Sequence, residues 1–198
     1  ALDVGSGTVH VANVGDSSAV LGRATTSAEG SRRWHAFALS SVTTVENPEE
    51  RGRVEAAQAA AGGGGRVDGE GNVFYGPIGI AMTRSLGNAV MGPAGIISDP
   101  LLTSCSLDDV FVEERDGTGS AGEWWFVVLA TDGVTDVLGH DELVGLVGEN
   151  LSGPHIGDPG GAAKAVAEVA RLRWLAGLPM EVKVDDITLV IFGNLPTD

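Results

Sequence analysis

The sequence predicts an α+β layered sandwich, and two features of the chain support this fold class. Segments with strand and helix patterns are grouped and mixed, without the regular βαβ spacing that produces a doubly wound parallel sheet. With 43% hydrophobic residues, the 198-residue chain can bury one sizeable core but leaves no room for two ordinary domains. We therefore expect a single domain over residues 1–198.

The N-terminal part of the chain carries strand patterns. Val9 and Val11 alternate with more polar neighbours, and an apolar run at residues 19–21 follows a turn at residues 15–17. This arrangement predicts an antiparallel hairpin. Residues 34–41 alternate in the same way and predict a further strand.

The middle of the chain predicts one helix and a long irregular region. The proline and two acids of residues 48–50 are favoured at a helix N-terminus, so we expect a helix over residues 51–61. The glycines of residues 62–65 should end it. From residue 66 to residue 99, glycine and proline recur too often for long regular elements. We interpret that stretch as a functional loop region with a short strand or helical turn at residues 80–86.

The C-terminal half combines predicted strands and helices. Residues 124–130 form a continuously apolar strand that we expect to be buried on both faces. Asp141 is predicted to cap a helix that runs to residue 151. The remaining predicted segments are a strand at 101–107, a polar loop at 113–122, an alanine-rich helix at 162–175 and a closing strand at 187–192.

Charge and composition restrict the classes of partner. The formal net charge of -15 and the sequence pI of 4.4 argue against nucleic acid and an anionic membrane surface, because both require a basic face. No apolar run approaches the roughly 20 residues of a membrane helix, so we expect no membrane insertion. The single cysteine, Cys105, is expected to be a buried thiol in a reducing compartment. These features favour an intracellular protein, with the cytoplasm as the expected compartment and an organelle as the alternative.

Four aspartates follow predicted strands or occupy turns. Asp132 follows the buried strand and Asp136 lies four positions later, so one helical turn would place both carboxylates on one face. Asp16 occupies the first turn, and Asp185 precedes the last strand. Grouped carboxylates suit Mg²⁺ or Mn²⁺ and do not suit Zn²⁺. Each aspartate taken alone could instead cap a helix or stabilise a turn.

A series of motifs between Val11 and Phe192 carries a resemblance to a known family. In order they read VANVGDSSAVLGR, NPEERGRVEAA followed by GGRV, IAMTRSLGN, IISDP, FVVLATDGVTDVL and DDITLVIF. Their combination resembles the C-terminal two-thirds of the type 2C (PPM-family) metal-dependent protein serine/threonine phosphatases. The resemblance implies two packed antiparallel β-sheets flanked by helices, with metal ions in a cleft at one end.

The same resemblance implies roles for the four aspartates. Asp132 and Asp185 would be ligands of a paired Mg²⁺ or Mn²⁺ centre, and Asp16, Asp132 and Asp136 would form an additional, weaker metal site. The metals would activate a water molecule that attacks the phosphorus of phosphoserine or phosphothreonine in a phosphoprotein substrate. We assign no catalytic residue beyond these ligands, and we expect no other cofactor.

The sequence also departs from the family pattern. It contains no Asp-Gly-His-Gly motif, which the family carries upstream of the first turn with further metal-binding acids. We therefore expect that this chain lacks the N-terminal segment of the domain and is inactive alone. Asn88 stands where the family has aspartate, and residues 44–48 lack the usual Asp-His pair. The alternative function is a catalytically inactive phosphatase-like scaffold or interaction subunit that binds a partner protein.

Other polar residues are expected to have structural roles. Arg66, Arg84 and Ser85 lie in the glycine-rich region, and we expect them to support loop packing through hydrogen bonds. No histidine occurs in a matching motif, so each should be a strand or surface residue: His10, His35, His140 and His155.

Overall fold

The computed structural model describes residues 2–3, 6–27, 30–111, 124–152, 157–177 and 184–194. The chain divides into two compact units. The first unit comprises Ala1–Val11, Ser17–Ser40 and Thr103–Asp198, and the second comprises Ala12–Asp16 and Ser41–Leu102. That residues 1–198 form one domain stays a prediction.

The described residues form ten strands, five α-helices and one 3₁₀ helix. The strands are β1 (Leu2–Asp3), β2 (Thr8–Asn13), β3 (Ser18–Thr26), β4 (Arg32–Ala38), β5 (Gly65–Val67), β6 (Val73–Tyr75), β7 (Ile78–Ile80), β8 (Leu101–Ser106), β9 (Trp125–Ala130) and β10 (Leu189–Asn194). The α-helices are α1 (Pro48–Ala60), α2 (Leu107–Phe111), α3 (Asp132–Thr135), α4 (His140–Ser152) and α5 (Pro159–Gly177), and the 3₁₀ helix is Ala89–Ala94.

The centre of the first unit is a four-stranded antiparallel sheet with strand order β10-β9-β3-β4. Ser18 to Ala24 of β3 are buried without interruption. Because successive side chains of a strand point to opposite faces, both faces of β3 are covered. Phe126 to Val128 of β9 are also consecutively buried, so the prediction of burial on both faces is confirmed for the centre of that strand, whereas Leu129 is 41% exposed.

The four-stranded sheet has a different layer on each face. On one face, buried residues of β3 and β9 pack against α4 and α5. On the other face, they share a core with β2 of a three-stranded sheet with order β1-β2-β8. Two sheets flanked by helices confirm the predicted α+β sandwich. The helix-side core includes Val20, Phe126, Val128, Leu143, Val147 and Val166, and the inter-sheet core includes Val9, Leu21, Leu39, Leu107 and Val127.

The predicted hairpin of β2 and β3 is wrong, although both strands exist. β2 lies between β1 and β8, whereas β3 lies between β9 and β4 in the other sheet. Since β3 is buried on both faces it requires a covering layer on each side, and β2 contributes to one of them. Gly15, with a φ of 108°, takes a left-handed conformation in the turn that leads from one sheet to the other.

Helix α1 of the second unit begins with the residues that predict it. Asn47 is the N-cap, and its side-chain oxygen accepts a hydrogen bond from the Glu49 N–H at 2.9 Å. Pro48 occupies the first helical turn, where its missing N–H costs nothing. The helix ends at Ala60, just before the glycines at 62–65.

The irregular region predicted for residues 66–99 is more regular than expected. It contains most of the antiparallel sheet β5-β6-β7 and the 3₁₀ helix. Strands of three residues are too short to produce a recognisable alternation, which is why the sequence did not reveal them. Val73 of β6 and Met91 of the 3₁₀ helix pack with Val54 of α1 in a core of their own.

The two long C-terminal helices begin earlier than predicted. Asp141 lies inside the first turn of α4, and the Leu143 N–H bonds the Gly139 carbonyl, so Asp141 is not the cap. Asp158 precedes α5 and accepts a hydrogen bond from the Gly160 N–H at 2.9 Å. The polar loop predicted at 113–122 lies outside the described residues. Among the helices of the described ranges, none has the length and apolar character needed to cross a membrane.

Candidate functional site

The segment after β9 carries two of the predicted site residues. Thr131 has an extended conformation, and the single-turn helix α3 starts at Asp132. The Asp136 N–H donates to the Asp132 carbonyl at 2.8 Å, so these residues lie one helical turn apart. The Gly133 N–H donates to Oδ1 of Asp132 at 2.8 Å. Asp132 is half-buried and Asp136 is exposed.

The segment before β10 carries Asp185 and lies directly against this turn. The Thr131 N–H donates to the Thr188 carbonyl at 3.0 Å, and the Thr131 hydroxyl donates to the Asp186 carbonyl at 2.9 Å. A Cβ at Gly133 would lie 2.4 Å from the Asp186 carbonyl oxygen, so glycine permits a close approach of the two backbones. The structure therefore brings together the segments that carry Asp132, Asp136 and Asp185. Asp185 itself is exposed, and its Oδ1 accepts from the Asp186 N–H at 2.8 Å.

Asp16 belongs to the second unit and occupies the turn between β2 and β3. Its neighbour Gly15 is fixed by Thr43: the Gly15 N–H donates to the Thr43 hydroxyl oxygen at 2.9 Å, and the Thr43 N–H donates to the Gly15 carbonyl at 2.9 Å. The Asn13 amide also donates to the Gly15 carbonyl at 3.2 Å. These contacts hold the turn in which Asp16 lies half-buried.

The chemistry of the four side chains fits a hard divalent cation, because all are carboxylates. Over the described ranges, however, no group of three or more His, Cys, Asp and Glu side chains could hold a metal ion. The described carboxylates thus supply suitable ligands without forming a ready-made group of three. The assignment of Asp16, Asp132, Asp136 and Asp185 as metal ligands stays a prediction.

A buried charge cluster in the second unit was not predicted from the sequence. Glu50 of α1 is 4% exposed, and its carboxylate binds Arg84, Arg53 and the Thr83 hydroxyl. Hydrogen bonds from Arg84 lower the pKa of Glu50 to about 2, with further lowering by Thr83 and Arg53 and opposition from burial. The acidic first turn of α1 was interpreted only as a helix-start signal, and nothing in the sequence identified its second acid as the buried partner of Arg84.

The other polar residues of the second unit have structural contacts, as expected. Nη1 of Arg84 donates to the Asp99 carbonyl at 2.8 Å. The Ser85 N–H donates to the Ile97 carbonyl at 2.9 Å, and the Asn88 amide donates to the Ser85 hydroxyl oxygen at 2.6 Å. The Arg66 guanidinium lies 3.9 Å from the centroid of the Phe74 ring, within cation–π range.

The described histidines and the cysteine lie in structural environments. His10 on β2 bonds the Ser104 hydroxyl, and His35 on β4 bonds the Thr25 hydroxyl. His140 is the first residue of α4, while His155 lies outside the described residues. Cys105 is only partly buried, contrary to expectation; burial and then Asp109 raise the pKa of its thiol.

Taken together, these features describe a class of protein: an α+β sandwich with aspartates on backbone-paired segments at the ends of the neighbouring strands β9 and β10. The sequence matches the protein phosphatase 2C family over residues 3–174. The chain belongs to this family.

Two plant proteins illustrate the similarity. "Probable protein phosphatase 2C 12" of Oryza sativa subsp. japonica is 36% identical over 189 residues, which cover 91% of this chain and 41% of that protein. "Probable protein phosphatase 2C 72" of Arabidopsis thaliana is 32% identical over 183 residues, which cover 91% of this chain and 48% of that protein. The chain thus spans less than half the length of these two relatives.

Solved structures support the fold. A serine-threonine phosphatase 2C from Toxoplasma gondii superposes with a TM-score of 0.68 at 17% identity, over 94% of this chain and 54% of that one. A C. elegans sex determining protein superposes with a TM-score of 0.67 at 21% identity, over 98% of this chain and 39% of that one. At these identities the similarity concerns the fold alone.

Proposed function

We propose that this chain is part of an enzyme that hydrolyses phosphoserine and phosphothreonine in proteins with the help of Mg²⁺ or Mn²⁺. The observation that carries the proposal is the close backbone packing of Gly133 against Asp186. This contact joins the segment of Asp132 and Asp136 to the segment of Asp185. Membership of the protein phosphatase 2C family supports the same reaction class.

The proposed role of the four aspartates is to bind the cations. Asp132 and Asp185 serve the paired centre, while Asp16, Asp132 and Asp136 serve a weaker additional site. When bound, the metals would lower the pKa of a water molecule and offset charge on the phosphoryl oxygens. The residues of this chain position the carboxylates: the Thr131 hydroxyl donates to the Asp186 carbonyl on the segment of Asp185, and Gly133 allows the close approach of that segment.

The alternative is an inactive phosphatase-like scaffold that binds a partner protein. Asn88 favours it, because its amide donates a hydrogen bond to the Ser85 hydroxyl oxygen at 2.6 Å, and an ionised aspartate could not donate there. The amide side chain of Asn88 therefore fits the hydrogen bonding of this loop.

The test is phosphatase activity of the native protein that contains this chain, measured with a phosphothreonine peptide and Mn²⁺. We expect turnover that a chelator abolishes and that Asp132→Asn lowers at least about a hundredfold. The 198-residue chain alone should show negligible turnover. Asp141→Asn, which changes an acid of α4, is the matched control and should leave activity unchanged.

Turnover that persists in chelator, or an Asp132→Asn enzyme with full activity, would contradict the metal assignment. A folded native protein without any turnover would favour the scaffold instead.

A further inference from the structure

The turn that carries Asp132 and Asp136 is bonded by two consecutive residues near the end of α5. The indole Nε1–H of Trp174 donates to the Gly133 carbonyl oxygen at 2.7 Å. Nη1 of Arg173 donates to the Val137 carbonyl oxygen at 2.8 Å. The Gly133 carbonyl belongs to α3, and the Val137 carbonyl belongs to the turn that follows it. A helical segment this short cannot satisfy all of its own carbonyls, so donors from outside contribute.

The Arg173 side chain is itself oriented by α4. Its guanidinium pairs with both carboxylate oxygens of Glu142, so Arg173 bridges α4 to the turn. Both side chains of this ion pair are about half exposed, at 44% and 43%, so the pair contributes little stability by itself. Trp174 is partly buried, which makes its hydrogen bond the better shielded of the two.

The opposite side of the turn is also fixed, since the Gly133 α-carbon packs against the Asp186 carbonyl. Gly133 is therefore held between α5 and the segment before β10. We propose that Trp174 and Arg173 are positioning residues, which fix the turn so that Asp132 and Asp136 are oriented for cation binding. The consequence for cations rests on the proposed function, whereas the restraint of the turn does not.

The decisive variant is Trp174→Phe, which keeps an aromatic ring and removes the donor. In hydrogen exchange, we expect the amides of Asp136, Val137 and Leu138 to exchange about fivefold faster, the equivalent of one lost hydrogen bond, with β9 unchanged. In calorimetric titration of the native protein with Mn²⁺ alone, we expect the affinity to fall about three- to tenfold, just below the losses of about 10- to 100-fold that are typical for direct partners of metal ligands, because Trp174 bonds the turn and not a ligand itself.

Leu175→Ala is the matched control, because Leu175 is 51% exposed on the same helical turn. It should change neither measurement. Arg173→Met removes the second bond at an exposed position and should reproduce both effects more weakly, so the test does not depend on how well the Trp174 variant folds.

The outcomes distinguish the restraint of the turn from its effect on cation binding and from the proposed function. Unchanged exchange at the three amides in both variants overturns the positioning of the turn. Faster exchange with unchanged Mn²⁺ affinity overturns its link to cation binding while leaving the proposed function intact. If the unaltered native protein binds no Mn²⁺ but exchange is faster in the variants, the metal part of the proposed function fails and the restraint by α5 is supported.

Discussion

Glu50 and Arg84 form an ion pair across 34 positions of sequence, with 2.5 Å between Oε1 and Nη2. The contact joins the first turn of α1 to the residues that follow β7. Because the Glu50 carboxylate is buried, its charge is stable only while Arg84, Arg53 and Thr83 all donate to it. The second unit therefore contains a buried ionised side chain that links α1 to the residues after β7.

Glu50→Gln should destabilise the protein by about 2–4 kcal/mol at neutral pH, because it leaves the partly buried guanidinium groups of Arg53 and Arg84 without their counter-charge. The lowered pKa of Glu50 also determines the pH range in which its contribution to stability is lost. The stability it contributes is present above its ordinary value of 4.5 and is lost as the pH falls toward about 2. Urea unfolding between pH 7 and pH 2 should therefore show a flatter acid slope for Glu50→Gln than for the unaltered chain.

Glu55→Gln is the control on the same helix, since Glu55 is 59% exposed and lies 3.8 Å from Arg51. It should change stability by less than about 0.5 kcal/mol. Equal losses for the two variants would show that the buried pair has no special role.

Gly133→Ala should destabilise the protein by about 1–3 kcal/mol, because its Cβ would overlap the Asp186 carbonyl oxygen and force the two segments apart. Gly69→Ala, at an exposed turn position, meets no atom within 4 Å and serves as the control. Thermal unfolding monitored by circular dichroism would measure both. A Gly133→Ala protein as stable as the control would mean that these backbones are not in contact.

Replacing two glycines of α4 by alanine should change the stability of the protein in opposite directions. Gly145 has open space around it, so Gly145→Ala should stabilise the helix by roughly 0.5–1 kcal/mol. A Cβ at Gly148 would lie 2.2 Å from the Trp34 indole, so Gly148→Ala should destabilise by about 1–3 kcal/mol. Denaturant unfolding of both variants measures the difference, and the same sign for both would contradict the packing of α4 on β4.

Metal binding can be tested without catalysis. A cation that binds only the folded chain should stabilise it by about 2.7 kcal/mol at a hundred times its Kd. We expect a rise in Tm at millimolar Mn²⁺ that Asp132→Ala reduces most, because Asp132 is shared between the two proposed sites. Asp141→Asn should lower stability slightly and keep the full response. A Tm indifferent to Mn²⁺, or an undiminished response of Asp132→Ala, would argue against a functioning metal centre.

Local signals in the sequence predicted the existence of the larger elements. The continuous apolar run of β9 and the proline and acids that open α1 each have a local physical cause, so their positions were predicted within a few residues. The single helical turn between Asp132 and Asp136 was likewise expected from their spacing.

The pairing partners of the strands could not be predicted from local signals, because they depend on residues far apart in the chain. The adjacency of β2 and β3 suggested a hairpin, but β3 pairs with β9 and β4, and β2 belongs to the layer that covers one of its faces. The contact of Trp174 with Gly133 has no local signature for the same reason. The metal ligands were assigned through the family resemblance, and their convergence stays a prediction.

The position of β3 between β4 and β9 has a consequence for the protein's synthesis. Arg32 to Ala38 emerge soon after β3 and can pair with it at once, but Ser18 has no partner on its other edge until Ala130 has been translated. During that interval β3 is a largely apolar strand with one edge unpaired and the face that later packs on α4 and α5 uncovered, a combination that promotes association between nascent chains. We therefore expect slow folding governed by these distant pairings, and a need for chaperones while the ribosome completes the chain.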